Sequence, residues 1–221
     1  MTIQEAIRNR HSVRSYQDRE IEVTAAAALR EEIDRCNLEG GLEIQLITGD
    51  REAFKGLMAR FGGFRGVSNY IALVGPAGGE HEAKLGFYGE RVALKAQQLG
   101  LNTCWVAATY RKGKCRARIG EGQALACVLA LGYGTTQGVP HRSKELAQLC
   151  KVDREMPDWF RKGMEAAMLA PTAMNKQDFL ITLDGEEVRF ESKAGKLGNI
   201  DLGIVRYHFM AGAGVPDREW G

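Results

Sequence analysis

The sequence contains no apolar run of the roughly 18–20 residues that a helix needs to cross a bilayer. Its first residues lack the apolar core and the small-residue cleavage site of a secretion signal. The five cysteines are odd in number, and no two have the C-x-x-C spacing of a redox or zinc motif. Cys104 and Cys127 instead lie in apolar stretches, where a thiol is most often a small core residue. We therefore expect a reduced, cytoplasmic protein.

The sequence also lacks metal-binding patterns and has a small net charge. The four histidines are far apart, with no helical pair and no acidic partner at ligand spacing, so we expect no metal site. With 30 basic and 28 acidic residues the net charge is +2, which gives no global reason to bind nucleic acid or an anionic membrane. No G-x-G-x-x-G motif follows a predicted strand, so a separate Rossmann site for NAD(P) is not indicated. An anionic ligand would have to be held by a local cluster.

What the sequence does contain is an alternation of helix and strand patterns. Its 221 residues are 44% apolar and 26% charged, which is typical of a soluble globular domain. In the clearest helix Leu85, Tyr88 and Val92 lie on one face. Predicted helices cover residues 24–36, 51–60, 85–99, 157–170 and 201–211, and predicted strands cover residues 42–47, 70–74, 103–107, 126–131, 179–183 and 187–191. Because no linker interrupts this pattern, we expect a single α+β domain over residues 1–221.

A weak internal repeat accompanies the pattern. Residues 29–36 and the strand after them resemble residues 160–168 and the strand that follows those. Self-similarity of this kind is the mark of a repeated architecture, although two helix–strand pairs can also be similar by chance. The two half-repeats would cover residues 1–150 and 151–221.

The first candidate site is a basic segment near the N-terminus. Arg10, Ser12 and Arg14 alternate, so in an extended backbone their side chains point the same way. Two guanidinium groups and a hydroxyl on one face suit a dianionic phosphate, because planar arginine forks match phosphate oxygens. The alternative is a solvated basic edge. Nucleic-acid binding through this segment would need aromatic stacking platforms or a wider basic face, and neither is seen in the sequence.

Two further candidates lie in the second half of the chain. Arg142 and Lys144 would by themselves be ordinary surface residues, but a phosphate held from two distant segments needs such a second clamp. The loop at residues 171–177 begins with a proline that ends a helix, and its small residues let the backbone approach a flat ligand. Asn175 and Gln177 carry amides that both donate and accept, as the polar edge of a flavin ring requires. The alternative is an ordinary helix-to-strand loop.

Together these segments resemble the nitroreductase-like family of FMN-dependent oxidoreductases. Members open with a short helix, an Arg-(Arg/His)-Ser-x-Arg motif and an aromatic residue, to which this chain is similar at Arg10, His11, Ser12, Val13, Arg14 and Tyr16. The family's Pro-Ser/Thr-x-x-Asn-x-Gln loop resembles Pro171, Thr172, Ala173, Met174, Asn175, Lys176 and Gln177. Its Gly-Leu-x-x-(Cys)-Trp helix end resembles residues 100–105, and its Gly-Tyr-Gly turn with a basic pair resembles residues 132–134 with Arg142 and Lys144.

The resemblance implies a fold and a set of cofactor-binding residues. The fold would be a central, mostly antiparallel sheet flanked by helices, and the cofactor would be FMN. The phosphate and ribityl chain would be held by Arg10, Ser12, Arg14, Arg142 and Lys144. Backbone amides around Trp105, Val106, Ala107 and Ala108 would lie near N5 and O4 of the flavin. The flavin ring would be covered by the Pro-Ser/Thr-x-x-Asn-x-Gln loop, mainly by Thr172, Met174 and Asn175. The other cofactor-binding residues would be His11, Pro171, Ala173 and Gln177.

The resemblance also implies an activity. NADH or NADPH would give a hydride to the flavin and leave, and a small acceptor such as a nitroaromatic or a quinone would then occupy the same pocket, which predicts ping-pong kinetics. The partners would therefore be small molecules, without nucleic acid or membrane. One residue departs from the pattern: Ala107 stands where many relatives place an acidic residue beside the flavin.

The order of the motifs also departs from the common pattern. In ordinary members the Pro-Ser/Thr loop lies soon after the first helices, and the flavin lies at the interface of a homodimer. The corresponding place here, residues 37–41, lacks the motif. The displaced loop and the internal repeat suggest a fused pseudo-dimer, in which a monomer builds one complete flavin site. A homodimer is the alternative.

Two other functions stay open on the sequence. One is a flavin-binding or flavin-free module without turnover, which the unusual motif order favours. The other is reductive dehalogenation or oxygen-dependent cleavage of flavin, which relatives of the family perform. Those reactions usually need an extra lid over the ring, and no lid insertion is visible between the predicted elements.

Overall fold

The structure is a computed structural model that describes residues 1–140, 142–194 and 198–215, with the side chain of residue 80 left aside. Its helices are α1 (Ile3–Asn9), α2 (Val23–Gly40), α3 (Leu57–Phe61), α4 (Gly79–Gln98), α5 (Leu146–Leu149), α6 (Asp158–Ala167) and α7 (Asn199–Ala213). Its strands are β1 (Gln45–Ile47), β2 (Asn69–Pro76), β3 (Asn102–Val106), β4 (Gln123–Gly132), β5 (Cys150–Val152), β6 (Phe179–Asp184) and β7 (Glu187–Ser192). No helix among the described residues is long and apolar enough to cross a membrane.

The strands form two sheets. The first has the order β1-β2-β4-β3 and is antiparallel throughout. The second has the order β5-β6-β7, in which β5 and β6 run parallel and β6 and β7 form the expected hairpin, with Asp184 opposite Glu187. The α+β class and the mostly antiparallel pairing are therefore confirmed. The division into two sheets and strand β5 are not indicated by the sequence.

The first sheet is buried on both faces. Ile71 and Leu73 of β2 pack on α2 and α4, while Tyr70, Ala72 and Val74 point to the opposite face, as the alternation of a strand requires. That opposite face is covered by segments that follow β1 and β3, through Phe54, Phe64 and Tyr110 among others. The second sheet packs on α6 and α7. The layers thus run sheet, helices, helices, sheet.

Helices α4 and α7 cross at the centre with their backbones in close contact. A Cβ atom on Gly86 would lie 2.1 Å from the carbonyl oxygen of Ile200, and one on Gly203 would lie 1.9 Å from that of Ala83. The two contacts are reciprocal. In each helix, the carbonyl that touches the other helix's glycine belongs to the residue three positions before that helix's own glycine. Contacts of this kind are expected across a two-fold axis.

The order of the main helices and strands in the first half of the chain is repeated in the second half. In the first half α2 is followed by β1, then by α3, then by β2, which pairs antiparallel with β1, and then by α4. In the second half α6 is followed by the antiparallel hairpin of β6 and β7 and then by α7, so α3 is an addition in the first half. Residues 29–36 and 160–168, each with the strand that follows, are the two helix–strand pairs that resemble each other in sequence. They occupy corresponding places in these two series.

One predicted helix is wrong. Residues 51–60 were expected to form a continuous helix, but they form a short 3-10 turn at Glu52–Phe54 and then α3. Lys55 is extended and Gly56 takes φ +104°, a conformation open mainly to glycine, so the helix cannot continue through them. As a result α3 is only five residues long and leaves Phe61 86% exposed.

Candidate functional site

The N-terminal motif lies in an extended segment that is held on both sides. Thr2 and Glu5 form a capping box that starts α1, and the helix ends at Arg10. Beyond it the amide of Val13 donates to the carbonyl of Thr103 at 3.1 Å, and the amide of Tyr16 donates to that of Arg65 at 2.9 Å. These bonds fix the direction of the side chains between them.

Arg10 is buried, with 3% of its surface exposed. Its Nε lies 3.4 Å from Oε1 of Glu90, and neither Nε nor Nη1 has a hydrogen-bond partner among the described residues. Buried guanidinium nitrogens are nearly always hydrogen-bonded, so these two donors are available to a further acceptor. The phosphate of FMN is a group of the right charge and acceptor number for them.

Arg10 borders a buried polar cluster centred on Glu90. Oε2 of Glu90 accepts a hydrogen bond from the indole Nε1 of Trp105 at 2.7 Å, and Oε1 lies 2.9 Å from Nε2 of His208. Both Glu90 and His208 are fully buried. The cluster thereby connects the end of α1 with β3, α4 and α7.

His208 has a polar neighbour at each ring nitrogen. Nδ1 lies 3.0 Å from the carbonyl oxygen of Ala166, and Nε2 lies 2.9 Å from Oε1 of Glu90. The same Oε1 lies 3.4 Å from Nε of Arg10, so one buried carboxylate is shared by a guanidinium and an imidazole. A buried guanidinium with unsatisfied donors is costly without a further acceptor beside it.

Ser12 and Arg14 lie next to Arg10, around the thiol of Cys104. Burial raises the pKa of the Cys104 thiol, whereas the charge of Arg14, a hydrogen bond with Ser12 and the charge of Arg10 lower it. All three predicted side chains are therefore near one atom. Arg14 is exposed and extends over Gly63, where a Cβ atom would lie 3.6 Å from its Cδ.

The end of β3 presents open backbone. Trp105 fits against α4 because Gly89 leaves room for its ring; a Cβ there would lie 2.7 Å from the indole Cη2. Val106 is buried, but Ala107 and Ala108 are exposed. Within the described residues the amides of Ala107 and Ala108 donate no hydrogen bond, so they are available to the polar edge of a ligand.

Arg142 and Lys144, the basic pair, contact the loop at residues 171–177 in the structure. The loop begins 27 residues after Lys144. The carbonyl of Arg142 accepts hydrogen bonds from Nδ2 of Asn175 at 3.0 Å and from Nε2 of Gln177 at 2.9 Å. The amide of Lys144 donates to Oε1 of Gln177 at 2.8 Å. Nζ of Lys144 donates to the carbonyl of Gln177 at 3.2 Å and contacts Asp178 at 3.4 Å, so this amine is already engaged.

The same loop has an unusual backbone. Met174, Asn175 and Gln177 have φ values of 52°, 54° and 49°, and they are the non-glycine residues with positive φ in the described chain. Each such residue costs on the order of 1 kcal/mol, and strained residues cluster at ligand clamps. The loop is held by Thr172, whose Oγ1 accepts from the amide of Gln177 at 3.0 Å. Pro171 is buried, while Met174 is 82% exposed.

Asp201 anchors the other side of this loop. Its Oδ2 accepts a hydrogen bond from the amide of Ala173 at 2.9 Å. Burial raises the pKa of Asp201, and the Ala173 bond lowers it. Nothing in the sequence pattern singles out Asp201, Glu90 or His208. Each is a single polar residue in a helix, and its role depends on a partner that is distant in sequence.

The segment after β4 passes beside the N-terminal motif. A Cβ on Gly138 would lie 2.8 Å from Cβ of His11. Arg142, whose carbonyl accepts from Asn175, stands four positions after Gly138 in the sequence. No contact among the described residues joins Arg14 directly to Arg142.

A cleft of about 850 Å³ opens beside Arg14. Its walls are formed by Ser15, Phe54, Lys55, Gly56, Arg60, Gly63, Phe64, Arg65 and Gly66. The sequence did not point to this place, because its basic residues are spread over a segment that was expected to be an ordinary helix.

Comparisons with a family model and with solved structures point to the same family. The chain matches a family model described as "Putative TM nitroreductase" over residues 2–213. A putative nitroreductase from Thermotoga maritima has a similar structure, with a TM-score of 0.64 and 22% identity over 96% of this chain and 83% of its own. No curated protein matches the chain significantly.

Two other solved structures are similar over about two thirds of this chain. A putative nitroreductase from Desulfovibrio desulfuricans in complex with FMN has a TM-score of 0.51 and 18% identity, over 67% of this chain and 94% of its own. A nitroreductase family protein from Streptococcus pneumoniae has a TM-score of 0.52 and 11% identity, over 66% of this chain and 98% of its own. At these identities the similarity shows the fold alone.

Proposed function

Because the chain belongs to the TM nitroreductase family, we propose that it is an FMN-dependent oxidoreductase that takes a hydride from NADH or NADPH and reduces a small acceptor. The redox chemistry is that of the cofactor, and the chain supplies binding, orientation and electrostatics. The solved relative that contains FMN supports this choice of cofactor.

The observation that carries the proposal is the buried guanidinium of Arg10. Its Nε and Nη1 have no hydrogen-bond partner among the described residues, and the neighbouring carboxylate of Glu90 is also engaged by Trp105 and His208, so a further anion is favoured beside it. A phosphate offers that charge and several acceptor oxygens. Ser12 and Arg14 follow Arg10 in the same extended segment and would add further donors.

The other residues of the site suit the remaining parts of FMN. Arg142, whose side chain is exposed, is the better second clamp, because Nζ of Lys144 is engaged by Gln177 and Asp178. The open amides of Ala107 and Ala108 would donate to the polar edge of the ring. The loop that carries Asn175 would cover the ring, held in its strained form by bonds to Arg142 and Asp201.

We propose further that one chain forms the whole site as an internal pseudo-dimer. The reciprocal contacts of Gly86 and Gly203 and the repeated element order support a pseudo-two-fold axis between α4 and α7. Arg10 belongs to the first half and His208 to the second, so both halves contribute to the buried cluster.

Absorbance spectroscopy tests the proposal. The purified protein should be yellow, should lose its flavin absorbance on anaerobic addition of NADH or NADPH, and should regain it with a nitroaromatic or a quinone. A colourless protein that also fails to bind added FMN would reject the flavin site. A yellow protein that neither nicotinamide cofactor bleaches would instead support a flavin-binding module without turnover.

A further inference from the structure

The positive charge of this nearly neutral chain is concentrated on one side of the first sheet. Residues 51–66 contain four basic side chains and one acidic one, and residues 107–120 contain five basic side chains and no acidic one. Since the net charge of the whole chain is only +2, the rest of the molecule is net negative. An uneven field of this kind attracts anions to one place.

The two basic segments are neighbours in the structure. The amide of Arg111 donates to the carbonyl of Ala53 at 2.7 Å, and the rings of Phe54 and Tyr110 stack with their centroids 6.1 Å apart. The cleft of about 850 Å³ described above is formed by the first segment and Ser15, and the second segment lies beside it.

The arginines of the cleft have no internal partner. Lys55 is paired with Glu52 at 3.0 Å, but the side chains of Arg14, Arg60 and Arg65 make neither an ion pair nor a hydrogen bond within the described residues. Arg60 and Arg65 line the cleft, and Arg14 extends over Gly63 in its wall. Free guanidinium groups around a concave surface favour a small ligand with phosphate groups.

We propose that this cleft binds the phosphate groups of the nicotinamide donor and makes the protein prefer NADPH to NADH. This inference rests on the proposed function. A nucleotide of this kind fits the place for two reasons. The volume is that of a small-molecule site rather than of a flat polyelectrolyte surface. The 2′-phosphate adds a dianion that NADH lacks, and the unpaired guanidinium groups of Arg60 and Arg65 line the cleft.

The position of the cleft is consistent with a hydride donor that must reach the flavin. Arg14 lies between the cleft and the cluster around Arg10, because it affects Cys104 and also covers Gly63. Gly62 contacts Thr109, just beyond the open amides of Ala107 and Ala108; a Cβ on Gly62 would lie 2.5 Å from its Oγ1. The segment that carries those amides therefore runs beside the glycine-rich wall of the cleft.

Calorimetric binding of two fragments to the protein as purified, with its flavin, tests the inference. We expect 2′,5′-ADP to bind at least ten times more tightly than 5′-AMP, and the difference to shrink as salt is added. The double variant Arg60→Gln with Arg65→Gln should abolish the difference. Neither side chain has a partner in the described structure, so the variant should fold, and its thermal unfolding temperature should equal that of the unsubstituted protein.

The matched control is Arg30→Gln with Arg161→Gln, which removes the same charge from exposed positions on α2 and α6. This control should keep the preference for 2′,5′-ADP. Equal binding of the two fragments to the unsubstituted protein would overturn the inference, as would loss of the preference in the control as well. Because fragment binding does not require hydride transfer, it is measured separately from the bleaching experiment, and one can fail while the other succeeds.

Discussion

At the scale of single residues, the site depends on a buried guanidinium whose donors the described residues leave partly unsatisfied. Arg10 faces one carboxylate, Glu90, which already accepts from Trp105 and contacts His208. Nε and Nη1 of Arg10 make no hydrogen bond within the described residues. A bound anion would supply the missing acceptors, and burial makes unsatisfied donors of a charged group expensive.

Substitution of Arg10 by alanine should therefore weaken FMN binding at least tenfold. A charge-assisted hydrogen bond contributes about 1.5–3 kcal/mol, and about 1.4 kcal/mol corresponds to a factor of ten in the dissociation constant. Fluorescence titration of the apoprotein with FMN measures the change.

Arg8→Ala is the control for that experiment, since Arg8 is an exposed arginine in the last turn of α1. It should leave FMN affinity as it was. If the Arg10 variant bound FMN with unchanged affinity, Arg10 would not belong to the site.

At the scale of elements, two helices determine how the halves of the site are joined. The crossing of α4 and α7 requires glycine at positions 86 and 203, because a side chain at either would overlap a carbonyl of the other helix. The crossing carries Glu90 and His208 towards each other, so the buried cluster depends on it.

The variant Gly203→Ala tests this packing by chemical unfolding. Alanine is the better helix former by roughly 1 kcal/mol, so local propensity alone would stabilise the variant. A Cβ placed 1.9 Å from the oxygen of Ala83 must instead separate the helices, and we expect a net loss of at least about 2 kcal/mol.

Gly113→Ala provides the comparison, because no heavy atom lies within 4 Å of its Cβ position. Its free energy of unfolding should be close to that of the unsubstituted protein. A Gly203 variant as stable as this one would contradict the close contact of the two helices.

At the scale of the whole molecule, the proposed pseudo-dimer places all parts of the site in one chain. Arg10 and the open amides come from the first half, and the loop with Asn175 comes from the second. A chain that forms the site alone does not need a partner to bind the cofactor.

Sedimentation equilibrium of the flavin-loaded protein should accordingly give the mass of one chain, 24.3 kDa. The mass should stay the same over a wide range of protein concentration, because no association is required. A stable species of twice that mass would favour the ordinary homodimer over the pseudo-dimer.

The amino-acid sequence by itself determined most of the longer helices and strands and indicated the family. Helix α4 follows from apolar periodicity, and the strands around Leu73 and Val128 follow from short apolar runs; both signals depend on neighbouring residues only. The motifs at Arg10 and Asn175 were likewise visible, because each lies within a few consecutive residues. Where local conformation depended on one glycine, at Gly56, the predicted helix failed.

The tertiary structure alone decided which of these residues act together. The bond between Glu90 and His208 spans 118 positions, and the bond from Gln177 to the carbonyl of Arg142 spans 35. It also separated the free guanidinium groups of Arg60 and Arg65 from the paired amine of Lys55. Such pairings depend on the folded path of the backbone and on burial, and neither is encoded in the spacing of residues along the chain.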